Sequence, residues 1–150
     1  MMDDVTETLP RAVLVDIDGT LALRGDGDGV RRFYDWHRVG EDLPNPPVAE
    51  LVQLVANSMQ YEIILMSGRD EVCRDETQAW LDKHEIPWHQ LHMRGHKDNR
   101  PDSIVKRELY EQHVAGRYVA AWVLDDRDSV VALWRRDLGL PCFQVEYGDF

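Results

Sequence analysis

The sequence is poor in cysteine and in long apolar runs. Two cysteines, Cys73 and Cys142, are too few for a disulfide framework, so a reducing compartment is favoured and a cytoplasmic location is expected. The longest apolar runs, 63–66 and 119–124, are far shorter than the ~18 residues that a membrane span requires. Residues 1–11 show no basic segment followed by an apolar stretch, so no secretory signal is expected.

Positive charge is also scarce. The chain has 17 Lys plus Arg against 28 Asp plus Glu, a formal net charge of −11. A protein that grips duplex nucleic acid through its phosphates needs a basic surface, so non-specific duplex binding is disfavoured. Most of the excess carboxylates are expected only to keep the protein soluble. The motif Gly-x-x-x-x-Gly-Lys-Ser/Thr is absent, so no ATP-dependent kinase domain is predicted.

What the chain does contain is an alternation of strand-length apolar segments and amphipathic helices. A length of 150 residues suggests one domain, 1–150. The alternation is typical of an α/β protein with a parallel sheet covered on both faces. Predicted strands are 12–16, 61–67, 88–93, 119–124 and 142–145. Predicted helices begin at Pro47, about Asp70 and Pro101, with Met59 among the apolar positions of the first and Ile104 facing inward on the third. A final helix contains Val130, Trp134 and Leu138 and ends at Gly139.

Residues 21–46 interrupt this regularity with a glycine-rich segment, Gly25 to Gly29. Irregular stretches of this length inside compact domains are usually functional, so residues 21–46 are predicted to be a lid over an active site. Trp36, within the lid, is taken as an exposed apolar residue that is available for self-association.

The first predicted strand runs into Asp16-Ile17-Asp18-Gly19-Thr20. Carboxylates at the carboxyl end of a strand point into the crevice where open α/β sheets bind ligands. They suit Mg²⁺, which takes oxygen ligands, and a carboxylate can also attack phosphorus. The structural alternative is an Asx turn that closes the strand. A calcium loop of the EF-hand type is discarded, because the ligand spacings do not match.

Two later strands also end in polar residues. Ser67-Gly68-Arg69 offers a hydroxyl, a tight turn and a guanidinium beside a predicted helix start, which is a plausible phosphate cradle. Asp125-Asp126 follows the most hydrophobic strand, and a bound cation would compensate the repulsion of the two carboxylates. A helix N-cap at Asp126 or Asp128 is the structural alternative.

The order of these motifs resembles the haloacid-dehalogenase-like phosphatase superfamily. Segments 93–106, 124–136 and 144–150 further resemble the 3′-phosphatase domain of phage-type polynucleotide kinase-phosphatases, so that the resemblance spans about 11–150. It implies a Rossmann-like three-layer α/β/α sandwich with a mainly parallel sheet and a minimal cap. The lid segment 23–32 is longer and more acidic than the family pattern.

The resemblance also implies roles for individual residues and a Mg²⁺ cofactor. Asp16 would be the nucleophile, and Asp18 would protonate the departing sugar oxygen and then activate water. Ser67 and Lys106 would bind the transferring phosphoryl oxygens. The implied metal ligands are Asp16, the backbone of Asp18, Asp125 and Asp126, and the implied substrate contacts are Thr20, Arg31, Arg69 and Arg94.

The function expected from this resemblance is a Mg²⁺-dependent polynucleotide 3′-phosphatase that acts on DNA or RNA ends. A phosphatase of free nucleotides or other small phosphorylated metabolites is the alternative, since extra carboxylates near an entry channel repel a long polyanion. A third hypothesis is a binding module that keeps the fold without catalysis. The expected partners are 3′-phosphorylated nucleic-acid ends or nucleotides. No membrane association is expected. A homodimer and a separate kinase or ligase partner are left open, as is the choice of DNA or RNA.

Overall fold

Alternate residues of the first apolar segment face opposite sides of a sheet. In the computed structural model, which describes residues 9–150, Val13 and Val15 pack into one hydrophobic core and Ala12 and Leu14 into another. This period of two is expected for a strand that is buried on both faces. The chain therefore forms two cores, one on each side of the sheet.

The main sheet has five strands, β1 (Arg11–Val15), β4 (Glu62–Asp70), β5 (Gln90–Arg94), β6 (Val119–Asp125) and β7 (Cys142–Gln144). Their order across the sheet is β5-β4-β1-β6-β7, and every neighbouring pair is parallel. The predicted α/β fold with a parallel sheet is confirmed.

The helices cover both faces of this sheet. They are α1 (Pro46–Asn57), α2 (Arg74–Lys83), α3 (Asp102–His113) and α4 (Asp128–Ala132), the last continuing into a π turn, Leu133–Asp137. Side chains of α1 and α2 pack into the core with Val13, and those of α3 and α4 into the core with Leu14. The predicted three-layer arrangement is confirmed. None of these helices is long and apolar enough to cross a membrane.

Three expectations about exposure are wrong. Helix α1 ends at Asn57, so Met59 lies beyond it and is 90% exposed. Ile104 is 45% exposed, because Val105 and Leu109, four residues apart, are the side chains that α3 turns to the core. Trp36 is half-buried and packs against the first core, so it is not a free apolar surface residue.

The predicted lid is partly ordered by secondary structure. Its two ends form a short antiparallel pair, β2 (Ala22–Leu23) and β3 (Leu43–Pro44), and a 3₁₀ helix, Trp36–Glu41, precedes β3. Only the segment between β2 and this 3₁₀ helix is irregular, with residues 24–29 exposed. The cap is therefore small. The predicted domain 1–150 and the signal-free segment 1–11 both include residues 1–8, which lie outside the described residues.

Candidate active site

The functional side chains meet at the carboxyl edge of the sheet. Asp16 follows β1 directly, Ser67 and Arg69 lie near the end of β4, and Asp125 is the last residue of β6. Because β1 is paired with both β4 and β6 in parallel, these three strand ends are adjacent. They open onto a cleft of about 1300 Å³, whose lining includes Asp16, Asp18, Lys106, Asp125 and Asp126.

One half of this site, which we call the lysine side, comprises Asp16, Lys106, Asp125 and Asp126. The buried Lys106 ammonium donates hydrogen bonds to Asp16 Oδ1 at 2.7 Å and to Asp125 Oδ2 at 2.9 Å. Trp134 Nε1 also donates to Asp125 Oδ2, at 3.1 Å. Lys106, on helix α3, therefore holds both carboxylates in position, and Trp134, in the turn after α4, also holds that of Asp125.

The lysine side carries more negative than positive charge. Burial raises the pKa of Asp16 well above its ordinary value, and Asp125 and Asp126 add to this, while Lys106 opposes it. Burial alone would lower the pKa of Lys106, but the two carboxylates that it contacts raise it, so the lysine stays charged. One ammonium cannot neutralise three carboxylates, and this imbalance favours a bound cation.

The donor atoms of the lysine side fit a divalent metal ion. One carboxylate oxygen from each of Asp16, Asp125 and Asp126 lies within 4.8 Å of the other two. A set of hard oxygen donors, open to a cleft on one side, is the environment in which Mg²⁺ binds with several waters or substrate oxygens.

The backbone at Gly19 explains why glycine follows the two aspartates. Its φ of +81° lies in the left-handed region, and a Cβ built there would come within 2.0 Å of Asp126 Oδ2. A side chain at this position would therefore displace one of the candidate metal ligands.

The other half of the site, the arginine side, comprises Asp18, Arg31, Asp42 and Arg69. Arg69 donates to Asp18 through Nε at 3.1 Å and Nη2 at 2.9 Å, and Arg31 Nη2 lies 3.4 Å from Asp18 Oδ1. Burial would raise the pKa of Asp18, but the charge and hydrogen bonds of Arg69, assisted by Arg31, outweigh it and lower that pKa. The Asp18 side chain is 43% exposed, so the carboxylate faces the cleft while the guanidiniums lie beneath it.

Asp42 is the residue of the arginine side that the sequence did not reveal. Its buried carboxylate accepts hydrogen bonds from Arg31 at 2.7 Å and from Arg69 Nη2 at 2.9 Å, and its carbonyl accepts from Trp80 Nε1. It lies in the lid, just before β3, where no periodic pattern marks it. Only the approach of the lid to β4 gives this carboxylate its position.

The expected substrate contacts of Arg31 and Arg69 stay predictions, and Arg31 lines the cleft. The Arg69 side chain is fully buried and also donates to Thr77 Oγ1 at 3.0 Å. Thr20 is likewise buried, and its hydroxyl donates to Asp16 Oδ2 at 2.8 Å. The hydrogen bonds of Thr20 and Arg69 hold Asp16 and Asp18 in position.

Arg94 closes one wall of the cleft together with Asp102. Arg94 donates to the carbonyls of Gly68, at 2.7 Å, and Asp98, at 3.1 Å, and to the Asp102 carboxylate. Asp102 also pairs with Arg127 at 3.1 Å. Asp102 lies in a segment that resembles the phosphatase family, yet sequence reasoning assigns it no role, so its place between two arginines is a second feature that such reasoning misses.

Ser67 does not lie beside a helix start, because β4 continues through Gly68 and Arg69 to Asp70. The pairing of β4 with β5 shifts register between Ser67 and Asp70, and such irregularities redirect side chains near functional sites. Ser67 is buried, and its Oγ accepts a hydrogen bond from the Arg69 amide at 3.0 Å.

The alternative of an N-cap at Asp126 or Asp128 is not found in the structure. The residue at the N-cap of α4 is Arg127, with no side-chain cap, and Asp128 is already within the helix. Asp126 instead faces the cleft on the lysine side.

The fold belongs to the haloacid-dehalogenase-like class. A haloacid-dehalogenase-like hydrolase of Streptococcus pneumoniae superimposes with a TM-score of 0.58 over 90% of this chain and 84% of its own, at 13% identity, which shows the fold alone. Residues 10–150 match the family described as the phosphatase domain of the polynucleotide kinase PNKP, and the chain belongs to this family of phosphatases.

Relatives at higher identity give the same assignment. Two structures of the Pnkp1/Rnl/Hen1 complex, the second described as an RNA repair complex, contain a chain that is 44% and 43% identical, with TM-scores of 0.88 and 0.90 over 95% and 100% of this chain. A protein of Autographa californica nuclear polyhedrosis virus that carries the name bifunctional polynucleotide kinase/RNA ligase is 37% identical over 139 residues, 91% of this chain. The chain spans about half the length of those structural relatives, 48% and 47%, and 19% of the viral protein.

Proposed function

We propose that this chain is a Mg²⁺-dependent polynucleotide 3′-phosphatase that works through an aspartyl-phosphate on Asp16. The observation that carries the proposal is the division of the site. Asp16 and Asp18 are two residues apart, yet one is held by Lys106 and the other by Arg69, and both face one cleft. The two carboxylates thus stand in contrasting environments, as a pair with different roles does, and a cation bound beside Asp16 would favour the ionised form that attack requires.

In the first step, an oxygen of Asp16 forms a bond to phosphorus as the bond from phosphorus to the 3′ oxygen breaks. Lys106 holds the Asp16 carboxylate at 2.7 Å, so the attacking group is oriented before the substrate arrives. The ammonium also offsets the negative charge that gathers around the transferring group, with Ser67 as a second contact for phosphoryl oxygens.

Asp18 would be the general acid in the first step and the general base in the second. It gives a proton to the departing 3′ oxygen, and in the second step it takes a proton from the water whose oxygen bonds to phosphorus as the bond to Asp16 breaks. Arg69 and Arg31 favour the ionised form, which is the form needed to accept a proton. An arriving phosphate brings negative charge beside Asp18, which raises a carboxyl pKa and favours the acid needed first.

The residues that would hold Mg²⁺ are Asp16, Asp125, Asp126 and the backbone of Asp18, because their oxygens are the hard donors that converge on the cleft. When bound, the ion would supply positive charge against the phosphate oxygens and the crowded carboxylates.

Phosphate release tests this function. The substrates are a 3′-phosphorylated oligonucleotide, its 5′-phosphorylated counterpart and a 3′-mononucleotide, each with Mg²⁺ and with EDTA, and Asp16→Asn is the control variant. We expect metal-dependent release from the 3′-phosphorylated strand and none from the 5′-phosphorylated strand or from the variant. Release from none of the three would overturn the proposed substrate.

A phosphatase of free nucleotides is the second candidate, and the lid favours it. Asp26 and Asp28 are exposed in the segment 24–29, and Asp26 lines the cleft. Carboxylates at the entrance repel a polyanion more than a mononucleotide. Faster release from the 3′-mononucleotide than from the oligonucleotide would move the function to nucleotide metabolism.

A kinase or ligase that acts beside this chain is also a proposal. It is supported by the names of the relatives, an RNA repair complex and a kinase/ligase. A homodimer and a cytoplasmic location stay predictions.

A further inference from the structure

The chain has three lysines, and they lie in three different settings. Lys106 is buried at the centre of the site, and Lys83 is exposed at the end of α2. Lys97 is also exposed, but it lines the same cleft as Asp16 and Asp18, on the loop that connects β5 to α3. The proposed chemistry uses Lys106 and leaves Lys97 without a role.

The backbone at Lys97 is held in an uncommon conformation. Its φ of +62° lies in the left-handed region, which residues with a side chain adopt at an energetic cost. The Lys97 amide donates to Asp70 Oδ2 at 3.0 Å, and the other oxygen of Asp70 accepts from the Val72 amide at 2.8 Å and lies 3.0 Å from His96 Nδ1. The end of β4 thus anchors the loop that carries the lysine on the cleft wall.

The charge of Lys97 is not compensated by a neighbour. Within residues 9–150 no carboxylate oxygen lies within 4.0 Å of its ammonium. The carboxylates nearby in the chain are already paired, Asp98 with Arg100 at 2.8 Å and Asp102 with Arg127 at 3.1 Å. In a chain with a net charge of −11, an unpaired cation on the wall of the catalytic cleft is available for an anion from outside.

The cleft is larger than one nucleotide needs and carries exposed aromatic rings. Its volume of about 1300 Å³ exceeds the roughly 300–1,000 Å³ of small-molecule sites. Phe33, in the lid, and Tyr147, after β7, both line it with exposed side chains. Rings and cations along one groove are the features that hold single-stranded nucleic acid, because the bases stack and the phosphates pair with the cations.

We propose that Lys97 binds the internucleotide phosphate next to the 3′-phosphate that is removed, and that it makes strand ends better substrates than mononucleotides. The inference rests on the proposed function, because it needs the 3′-phosphate to be seated at Asp16. A lysine binds a phosphate as a compact point charge. A mononucleotide has no internucleotide phosphate, so it cannot use this contact.

The test compares Lys97→Gln with Lys83→Gln, which removes the same charge from the α2 surface. The substrates are a 3′-mononucleotide, a dinucleotide with a 3′-phosphate and a hexanucleotide with a 3′-phosphate. For Lys97→Gln we expect kcat/KM to fall about fivefold at low salt with the dinucleotide and the hexanucleotide, and to stay unchanged with the mononucleotide. Lys83→Gln should match the wild type with all three.

Binding gives a readout that does not depend on turnover. In the Asp16→Asn background, fluorescence anisotropy measures the Kd of a labelled hexanucleotide with a 3′-phosphate at several salt concentrations. Loss of one phosphate contact should reduce the slope of log K against log salt by about 0.7. Lys97→Gly removes the same charge in a residue that suits the left-handed backbone, so an equal loss in the Gln and Gly variants assigns the effect to charge.

Failure of the proposed function and failure of the inference about Lys97 give different results. A wild-type protein that releases no phosphate from any strand overturns the proposed function. A Lys97→Gln variant that binds and turns over the hexanucleotide as well as Lys83→Gln does, or that loses as much activity on the mononucleotide as on the strands, overturns the inference about Lys97.

Discussion

The lysine side and the arginine side of the site treat the same residue type in opposite ways. Asp16 is buried among carboxylates and held by a single ammonium, and its pKa is raised. Asp18, two residues later, is partly exposed and held by two guanidiniums, and its pKa is lowered. Position on the fold, rather than residue type, therefore gives the two carboxylates different surroundings, which suit the proposed roles of Asp16 toward metal and phosphorus and of Asp18 toward protons.

Asp16→Asn gives the largest expected effect, because it removes the proposed nucleophile from the lysine side. We expect phosphate release to fall by about 10⁴-fold or more. Thermal stability should stay the same or rise, since a repelled carboxylate is replaced by a neutral amide. Release that persists in this variant with the same Mg²⁺ dependence would remove Asp16 from the mechanism.

Lys106→Met breaks the lysine side in a different way. It leaves Asp16 and Asp125 buried without their shared cation, so the free energy of unfolding should fall by about 3–5 kcal/mol along with activity. Urea denaturation measures the loss, and Arg107→Met, an exposed neighbour on α3, is the control. Equal stability of the two variants would show that Lys106 does not compensate the carboxylates.

Asp42→Asn tests the arginine side without touching the lining of the cleft. Loss of the carboxylate that holds Arg31 and Arg69 should loosen Asp18, and we expect kcat to fall about 10- to 100-fold with little change in KM. Steady-state kinetics measure the split, with Glu41→Gln as the control, because that exposed carboxylate pairs with Arg38 at the surface. A change in KM alone would assign the arginines to substrate binding instead.

The smallest expected effect lies outside both sides of the site and concerns acid stability. His92 stacks on His113 with ring centres 3.8 Å apart, and burial, with the charge of His113, lowers the pKa of His92 to about 4. Between about pH 6.5 and pH 4 the unfolded chain therefore binds a proton that the folded chain does not, so stability falls as the pH falls.

His92→Gln removes this dependence, so its thermal midpoint should drop less than that of the wild type between pH 7 and pH 4.5. Parallel pH curves for the two proteins would show that the histidine pair does not control acid stability.

The sequence predicts the fold and most of the lysine side well, because those residues follow apolar strands or match motifs. Asp16 and Asp125 meet as their positions at the ends of parallel strands predict, whereas only the family resemblance singles out Lys106. The arginine side is harder to predict from the sequence, since Asp42 lies in an irregular lid and gains its partners only when the lid reaches β4. For the same reason the sequence gives no sign that Arg69 is paired with the buried Asp42 carboxylate.

The extent of β4 also escapes prediction. The segment after Ser67 looks like a turn because it contains glycine, yet the strand continues to Asp70 through a shift in register. Gly68 is needed there for another reason, since a Cβ on it would lie 2.7 Å from Asp102 Oδ1. A close approach between distant segments leaves no local signal.

The most direct test of the division between the two sides uses p-nitrophenyl phosphate with Asp18→Asn. Nitrophenolate leaves without a proton, so Asp16 can still be phosphorylated, whereas the second step lacks the group that activates water. We expect a burst of nitrophenolate stoichiometric with the enzyme, followed by slow turnover, and no burst when Asp16→Asn is added. Linear release from Asp18→Asn with no burst, or a burst that survives the loss of Asp16, would contradict it.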